Sequence, residues 1–237
     1  GSVMFQTILA VDSPVGDDFT KEQYAGIKYK GPLYFDLDDA ESPASTAVFA
    51  VELIDKLIEL GVSEKQLHIF ASGSKGFHIL VPEECVLAKP PKTGMTFLPA
   101  IFKEMAFKLA VESLDLRVYT ARKGRMLRCP NVQRDNGLYK VPLTYGELVE
   151  IANLAGTAAP AGEAMYRTIC SAPRPLESLP REAPTLSHGL MALFDECKTK
   201  VSKGQIKAKK AKKVNLPASL PSWDAMLRGE GIKDDVG

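Results

Sequence analysis

The sequence predicts a mixed α/β domain, and three observations carry this prediction. Residues 31–37 (GPLYFDL) have the composition of a short buried strand that follows a Gly-Pro turn. A capped amphipathic segment follows at residues 42–60, and residues 66–81 contain two strand-like runs, QLHIFA and FHILV, joined by SGSKG. This order of strand, helix and hairpin is typical of a helix packed on a sheet.

The first helix is predicted from its two ends and from its apolar residues. Ser42 is a favourable N-cap, Pro43 is favoured at the first helical position, and Gly61 follows the last periodic residue. The stripe that we expect to face the sheet consists of Val48, Val51, Ile54, Leu57 and Ile58. The spacing of these residues predicts that the helix packs on the sheet along this stripe.

The middle of the chain is predicted to contain further helices and strands. A second helix is expected at about 99–113, and residues 114–120 (LDLRVYT) and 138–143 (LYKVPL) are strand candidates. Thr144 and Glu147 form a capping box that opens a short helix. The predicted order therefore stays α/β to about residue 155.

The domain organisation is predicted from a change in composition near residue 170. Residues 1–170 carry the regular pattern and form the main domain, in keeping with a chain of 237 residues. Residues 171–215 are first proline-rich and then lysine-rich, which predicts a linker. Residues 216–237 would begin a further helical module.

Composition and cysteine spacing exclude several classes of protein. A formal net charge of +1 gives no overall preference for an anionic partner, and no apolar run approaches the length of a membrane helix. No secretory signal is evident at the start. The four cysteines form no C-x-x-C pair, so we expect neither a zinc site nor a disulfide framework. These features favour an intracellular, cytoplasmic protein without a membrane partner.

Three acids, Asp36, Asp38 and Asp39, stand at the end of the first predicted strand. Residues two apart in a strand face the same side, so Asp36 and Asp38 would project together. Two neighbouring carboxylates repel each other unless a cation compensates, and hard oxygen ligands suit Mg²⁺ or Mn²⁺. Alternatively, the acids lie at the exposed end of the strand and cap the following helix region. A strand followed by D-x-D also resembles the opening motif of haloacid-dehalogenase-like phosphatases, but Asp39-Ala40 replaces the Gly-Thr expected there.

The segment SGSKGFH, residues 72–78, contains the residue types of an anion-binding loop. Its glycines, hydroxyls and lysine could bind phosphate oxygens through backbone N–H groups and side chains, with the histidine as a further donor. The spacing differs from that of a Walker loop. The alternative for His78 is a half-buried strand histidine that bonds to a backbone carbonyl, while His68 and His188 are expected to be structural.

Several motifs together resemble the archaeo-eukaryotic primase superfamily, in particular the primase-polymerases of phages and plasmids. Asp36-Leu37-Asp38 matches the first motif of this family, residues 72–78 match its S-x-H motif, and Leu114-Asp115 matches its third, a hydrophobic residue followed by Asp. RMLRCPN and YKVPL, within residues 125–143, are similar to a basic run of the same family. The motifs occur in the family's order, which is more specific than any one of them.

This resemblance implies a fold, a chemistry and a set of site residues. The fold would be an α/β (α+β) catalytic core with an RRM-like sheet and flanking helices. Asp36, Asp38 and Asp115 would hold two divalent ions, Mg²⁺ or Mn²⁺, for nucleotidyl transfer. The residues implied in nucleotide binding are Ser72, Ser74, Lys75, His78, Arg125, Arg128 and Lys140.

The implied partners are nucleoside triphosphates and a single-stranded DNA template with its primer, and a helicase domain or partner could follow. Alternatives remain open at this point. Asp115 could be a turn acid, with Asp39 or Asp135 in its place, and the implied basic residues could be solvated surface cations. The protein could be an end-joining-type polymerase without priming activity, or a catalytically silent nucleic-acid-binding module of a replication initiator.

Overall fold

The structure is a computed structural model, and it describes residues 4–12, 26–38, 42–119, 126–156, 159–179 and 181–211. The chain divides into two compact units, Gly1–Val201 and Ser202–Gly237. All contacts given below lie within the first unit. Arg125, Asp39 and the predicted module at 216–237 lie outside the described residues.

Groups of short strands and groups of helices follow one another along the described chain. The strands are β1 (Phe5–Thr7), β2 (Ala10–Val11), β3 (Tyr29–Lys30), β4 (Leu33–Leu37), β5 (His68–Ala71), β6 (Phe77–Val81), β7 (Met126–Arg128) and β8 (Val141–Leu143). The helices are α1 (Pro43–Glu59), α2 (Glu83–Val86), α3 (Leu98–Lys108), α4 (Tyr145–Ala155), α5 (Ala159–Ile169) and α6 (His188–Ala211). No helix in the described ranges is both long and apolar enough to cross a membrane.

The main sheet has four strands in the order β4-β6-β5-β8, and every neighbouring pair is antiparallel. Strands β4 and β5 are therefore parallel to each other with β6 between them, and α1 is the crossover that joins them. Two small antiparallel ribbons, β1 with β7 and β2 with β3, complete the strands described. This architecture confirms the predicted mixed α/β (α+β) class.

Helices cover both faces of the main sheet. On one face, the ring of Phe77 in β6 packs edge-on against Tyr166 in α5, at 5.5 Å between centroids. On the opposite face, Tyr34 in β4 contacts Phe102 of α3 and stacks on Tyr119 at 4.6 Å. The sheet is thus the middle layer of a single core.

The predicted first helix is confirmed, but its buried face differs from the predicted stripe. Ser42 is the N-cap and its hydroxyl accepts a hydrogen bond from the Ser45 N–H, and Pro43 is the first helical residue. Val48 and Ile58 are exposed, at 43% and 37%. The buried residues are Ala44, Thr46, Ala47, Ala50, Leu53, Ile54 and Leu57. The small alanine side chains allow α1 to lie close to the sheet and to α4 and α5. The prediction was wrong because it followed the larger apolar residues instead of the alanines.

Residues 114–119 do not form the predicted strand, and Thr120 lies outside the described residues. Instead, Leu116–Tyr119 form a 3₁₀ turn. The Asp115 carboxylate accepts a hydrogen bond from the Arg117 N–H at 2.8 Å, which favours a turn over an extended chain. The Tyr119 hydroxyl then donates to the Tyr34 carbonyl, which anchors the turn on the sheet.

Other local predictions agree closely with the structure. The second helix is slightly shorter than predicted, because α3 ends at Lys108. The capping box of Thr144 and Glu147 is present at the start of α4. Within 138–143, only Val141–Leu143 form a strand. The SGSKG hairpin closes with a bond from the Ser72 N–H to the Gly76 carbonyl.

The region predicted as a linker differs from the prediction over residues 188–201. This segment is the first part of α6 and belongs to the same compact unit as the sheet. Leu190, Phe194 and Cys197, at helical spacing, are all buried in the main core. The apolar stripe therefore holds this part of the helix on the domain, although lysines follow it directly in the sequence.

Candidate functional site

The backbone brings the three predicted acidic residues together at one end of β4. Leu37 forms an isolated antiparallel bridge with Leu114. The Asp115 N–H donates to the Asp36 carbonyl at 2.9 Å, and the Asp38 N–H donates to the Ser113 carbonyl at 3.0 Å. In this register Asp115 is the cross-strand neighbour of Asp36, so both side chains lie on one face. Asp135, the other candidate for the third acid, lies instead in the turn near Gly137.

One guanidinium group compensates the charge of these carboxylates. The Arg117 Nε donates to Asp115 Oδ1 at 2.9 Å and its terminal nitrogen donates to Asp115 Oδ2 at 3.2 Å. This hydrogen-bonded Asp115 raises the pKa of Arg117, and the charges of Asp36 and Asp38 raise it further. The Arg117 side chain is 86% exposed while that of Asp115 is 14% exposed. A solvent-facing cation is therefore paired with Asp115 and attracted by the charges of Asp36 and Asp38.

The acids fit a hard divalent ion by their chemistry, although they do not form a complete ligand cluster. No group of three or more His, Cys, Asp or Glu side chains with metal-binding geometry occurs among the residues described. The ligands that these carboxylates offer are nevertheless all oxygen atoms and carry negative charge, which suits Mg²⁺ and Mn²⁺. Rotation of Arg117 away from Asp115 would release both oxygens of that carboxylate.

His78 lies directly beside Asp36 on the neighbouring strand. The two residues are paired in the β4-β6 register, and His78 Nε2 lies 3.4 Å from Asp36 Oδ1. Burial, followed by the positive charges of Lys140 and Arg134, lowers the pKa of His78 to about 3. The imidazole is therefore neutral near pH 7, with Nε2 placed to carry the proton toward Asp36. No described residue forms a hydrogen bond with the buried Nδ1 atom.

Lys140 is a buried cation directly before β8, close to the same part of the sheet. The residue is 1% exposed, and its Nζ lies 4.8 Å from the ring centroid of Phe70, which pairs with His78 across β5 and β6. Burial lowers the pKa of Lys140 to about 8, and the charges of Cys129 and Asp36 partly oppose this shift. The residue predicted to contact phosphate is thus placed below the surface, close to Asp36 and His78.

The pKa of Lys140 gives a testable pH dependence of stability. Because the folded-state pKa lies below the usual value near 10.5, the unfolded chain binds this proton more tightly, and stability should rise with pH above about 8. We expect Lys140→Met to be more stable than the wild type at pH 7, and this advantage to shrink by about 1 kcal/mol per pH unit between pH 8 and 9.5. Urea unfolding at each pH measures the difference in unfolding free energy between the variant and the wild type. The control is Lys89→Met, at an exposed lysine, whose unfolding free energy should vary with pH as that of the wild type does. If the free energy of Lys140→Met also varied with pH as that of the wild type does, the prediction would be contradicted.

The SGSKG loop is held rigidly by bonds within itself. The Ser72 hydroxyl accepts hydrogen bonds from the N–H groups of Ser74 and Gly76, both at 3.2 Å. Ser72 is buried, whereas Ser74 and Lys75 are exposed at the tip of the loop. Several N–H groups predicted to bind phosphate are therefore used inside the loop, and its tip is the part that faces solvent.

Three residues that the sequence analysis did not identify support this loop. The Tyr166 hydroxyl accepts from the Gly73 N–H at 3.1 Å and donates to the Gly76 carbonyl at 3.1 Å. The Arg134 guanidinium donates to the Ser72 carbonyl at 3.2 Å, and the Asn136 amide donates to the Gly73 carbonyl at 2.9 Å. The turn residues of QRDNG were a visible signal for Asn136, whereas nothing local indicated Tyr166.

Removal of the Tyr166 hydroxyl gives a second stability prediction. Tyr166→Phe leaves the Gly73 N–H and the Gly76 carbonyl without this partner in a buried position, which should cost about 1–3 kcal/mol. Tyr145→Phe is the matched control, because its hydroxyl bonds only to the exposed Asp55 in the bonds described, and it should cost about 0.5 kcal/mol or less. Urea unfolding compares the two variants, and equal losses would contradict the assigned role of Tyr166.

The basic residues after the third acid are not all brought to the loop. Arg125 lies outside the described residues. Arg128, in β7, directs its guanidinium over the ring of Phe5 at 5.3 Å and toward the Gln133 carbonyl at 3.5 Å. The structure thus places Arg128 on the β1-β7 ribbon, while Lys140 directly precedes β8 of the main sheet.

Comparisons of this chain with protein-family models, with curated proteins and with solved structures find no match.

Proposed function

We propose that this protein is a metal-dependent nucleotidyltransferase of the primase-polymerase type, which adds nucleoside triphosphates on a single-stranded DNA template. The observation that carries this proposal is the bridge that sets Asp115 opposite Asp36, with His78 on the next strand. Acids from two separate segments meet at the end of a strand beside a glycine-rich loop. This is the combination that nucleotidyl transfer needs.

The acidic residues would hold two divalent ions, Mg²⁺ or Mn²⁺. When bound, such ions supply activation of a 3′-hydroxyl and neutralisation of the triphosphate. Asp36 and Asp38 come from the end of β4, and Asp115 comes from the segment bridged to it. Arg117 would leave Asp115 as the ions bind, because both compensate the same carboxylates.

The remaining residues would bind and orient the nucleotide. Ser74 and Lys75, exposed at the loop tip, are suited to contact phosphates directly. Ser72 would act mainly by fixing the loop, since its hydroxyl accepts two N–H groups there. The buried Nδ1 of neutral His78 requires a donor partner, and Lys140 supplies positive charge behind the site. Arg125 and Arg128 would contact phosphates of nucleotide, template or primer.

An intracellular, cytoplasmic role in replication of a mobile element fits this chemistry, with a helicase domain or partner acting nearby. All four cysteines are free thiols, as expected for a reducing compartment. This setting is part of the proposal and rests on the proposed activity.

The test is incorporation of labelled nucleotides on single-stranded DNA with Mn²⁺ or Mg²⁺, with and without a primer. Metal-dependent products without a primer would support a primase, and products only with a primer would support an end-joining-type polymerase. No product under either condition, together with intact DNA binding, would favour the silent initiator module and would overturn the proposed activity. Release of phosphate from small phosphoesters would instead support the phosphatase alternative.

A further inference from the structure

Arg117 has a fixed backbone and a side chain that is free to rotate. Its N–H donates to Asp115 Oδ1 at 2.8 Å. Two residues later, the Tyr119 hydroxyl donates to the Tyr34 carbonyl, and the two rings stack at 4.6 Å. The backbone around Arg117 is therefore held on the sheet, whereas its exposed guanidinium can change partner without disturbing the core.

The guanidinium of Arg117 covers the oxygens that a divalent ion would use. Its Nε donates to Asp115 Oδ1 at 2.9 Å, and its terminal nitrogen donates to Asp115 Oδ2 at 3.2 Å. Such a two-pronged pair engages both oxygens of the carboxylate. The negative charges of Asp36 and Asp38 also act on the same guanidinium. Arg117 therefore compensates the charge of the acids to which the proposed function assigns the metal.

Binding of divalent ions would remove the reason for this pairing. The carboxylates attract Arg117 as long as their negative charge is in excess. Two divalent ions carry more positive charge than three carboxylates carry negative charge, so the ions and Arg117 would then repel each other. Because its backbone is held on the sheet, Arg117 would remain close to the site and would need another anion there.

The SGSKG loop places the predicted phosphate site beside the same acids. A Cβ atom at Gly76 would lie 3.1 Å from the Cα of Asp38, so the backbone of the loop directly contacts the end of β4. Asp38 is also one of the charges that act on Arg117. A phosphate that the loop holds next to the ions would therefore be an available partner for Arg117. The planar fork of arginine matches phosphate oxygens as well as carboxylate oxygens.

We propose that Arg117 is a nucleotide-binding residue that exchanges one anionic partner for another. It pairs with Asp115 without divalent ions, and it binds the phosphates of the nucleoside triphosphate when the ions take the carboxylates. This inference rests on the proposed function and adds to its site a residue outside the D-x-D, S-x-H and basic motifs. The exchange has effects of opposite sign, because Arg117 weakens the binding of metal and strengthens the binding of nucleotide.

The first measurement is the binding of Mn²⁺ to the full chain without nucleotide or DNA, followed by electron paramagnetic resonance of the free ion. We expect Arg117→Gln to bind Mn²⁺ about threefold or more tightly than the wild type, because the ion no longer displaces a cation from Asp115. Arg181→Gln is the matched control. Arg181 is an exposed arginine that bonds to His68, at the end of β5 away from the SGSKG loop, and its loss should leave the Mn²⁺ affinity unchanged.

The second measurement is the binding of the fluorescent nucleotide MANT-dATP at saturating Mg²⁺ without DNA. We expect Arg117→Gln to bind it about tenfold more weakly, through loss of a charge-assisted bond to phosphate, and Arg181→Gln to bind it as the wild type does. Arg117→Lys keeps the charge and loses the fork, so both of its affinities should lie between those of the wild type and Arg117→Gln. Circular dichroism checks folding, and Arg117→Lys replaces Arg117→Gln in both measurements if the latter does not fold.

The two affinities together decide the outcome. Opposite changes would support the exchange, because a merely structural role of Arg117 would weaken both. Tighter Mn²⁺ binding with unchanged nucleotide binding would make Arg117 a counter-ion alone and would overturn the exchange. Unchanged or weaker Mn²⁺ binding would also overturn it, while the proposed function would stand. No Mn²⁺ binding by the wild type would overturn the proposed metal site and this inference together.

Discussion

Asp36→Asn is expected to reduce metal-dependent nucleotide incorporation by about a hundredfold or more, since loss of an outer-shell partner alone costs about 10–100-fold. The substitution keeps the size of the side chain and removes its charge. Asp36 lies between Asp115 on the bridged segment and His78 on β6, so no other described acid can take its position. The measurement is primer extension on single-stranded DNA across a range of Mn²⁺ concentrations.

The control for this variant removes one carboxylate charge outside the proposed metal site. Asp135→Asn alters an exposed acid in the turn near Gly137, the residue that the sequence left as an alternative third ligand. We expect its incorporation rate to remain within about twofold of wild type, because Asp135 is exposed and none of the described hydrogen bonds joins its carboxylate to Asp36 or to the SGSKG loop. If Asp36→Asn also kept full activity, then the acids of β4 would not be the metal ligands. If both variants lost activity, overall charge rather than a site would be responsible.

Gly76→Ala should be among the most destabilising single substitutions in this chain, with a loss of about 3 kcal/mol or more of unfolding free energy. A Cβ atom at Gly76 would lie 1.9 Å from the Leu37 carbonyl oxygen and 3.1 Å from the Cα of Asp38. Both neighbours are backbone, so neither can turn aside as a flexible side chain would. The clash would separate β4 from the loop that precedes β6, next to Asp36. Urea unfolding measures the loss.

Gly156→Ala provides the comparison for this effect. Gly156 caps α4, has an ordinary negative φ of −83°, and has no atom within 4 Å of an added Cβ. We expect a change within about 0.5 kcal/mol, because only the entropy of the unfolded chain differs. Similar losses in the two variants would show that the close approach of Gly76 to Leu37 is relieved at little cost. A large loss confined to Gly76→Ala would also predict lower activity, since the loop and Asp36 share this contact.

Local signals in the sequence were sufficient for the elements that surround the candidate site. The strand before Asp36, the N-cap at Ser42, the SGSKG hairpin and the capping box at Thr144 all occur as predicted. Each of these depends on residues within a few positions of one another, so sequence spacing contains the needed information. The same spacing rule was available for the buried stripe of α6, which the neighbouring lysines obscured.

Other predictions failed where helix packing or a short-range side-chain bond decided the outcome. The buried face of α1 is rich in alanine because α4 and α5 approach it closely, and large residues such as Val48 remain outside. Residues 114–120 were predicted as a strand from their composition, yet Asp115 and Arg117 close a turn there. In both cases packing and a side-chain bond outweighed intrinsic propensity.

By itself the sequence determined the residue types and the local secondary structure that carries them, which are a D-x-D at a strand end, a glycine-rich hairpin and the neighbouring helices. Only the tertiary structure decided that Asp115 lies opposite Asp36, that Lys140 is buried over Phe70, and that Tyr166 holds the loop. The physical reason is the separation in sequence between the residues that interact. Capping and hairpin turns are fixed by neighbouring residues, whereas the bridge, the buried cation and the tyrosine anchor form only when segments distant in sequence pack into one core.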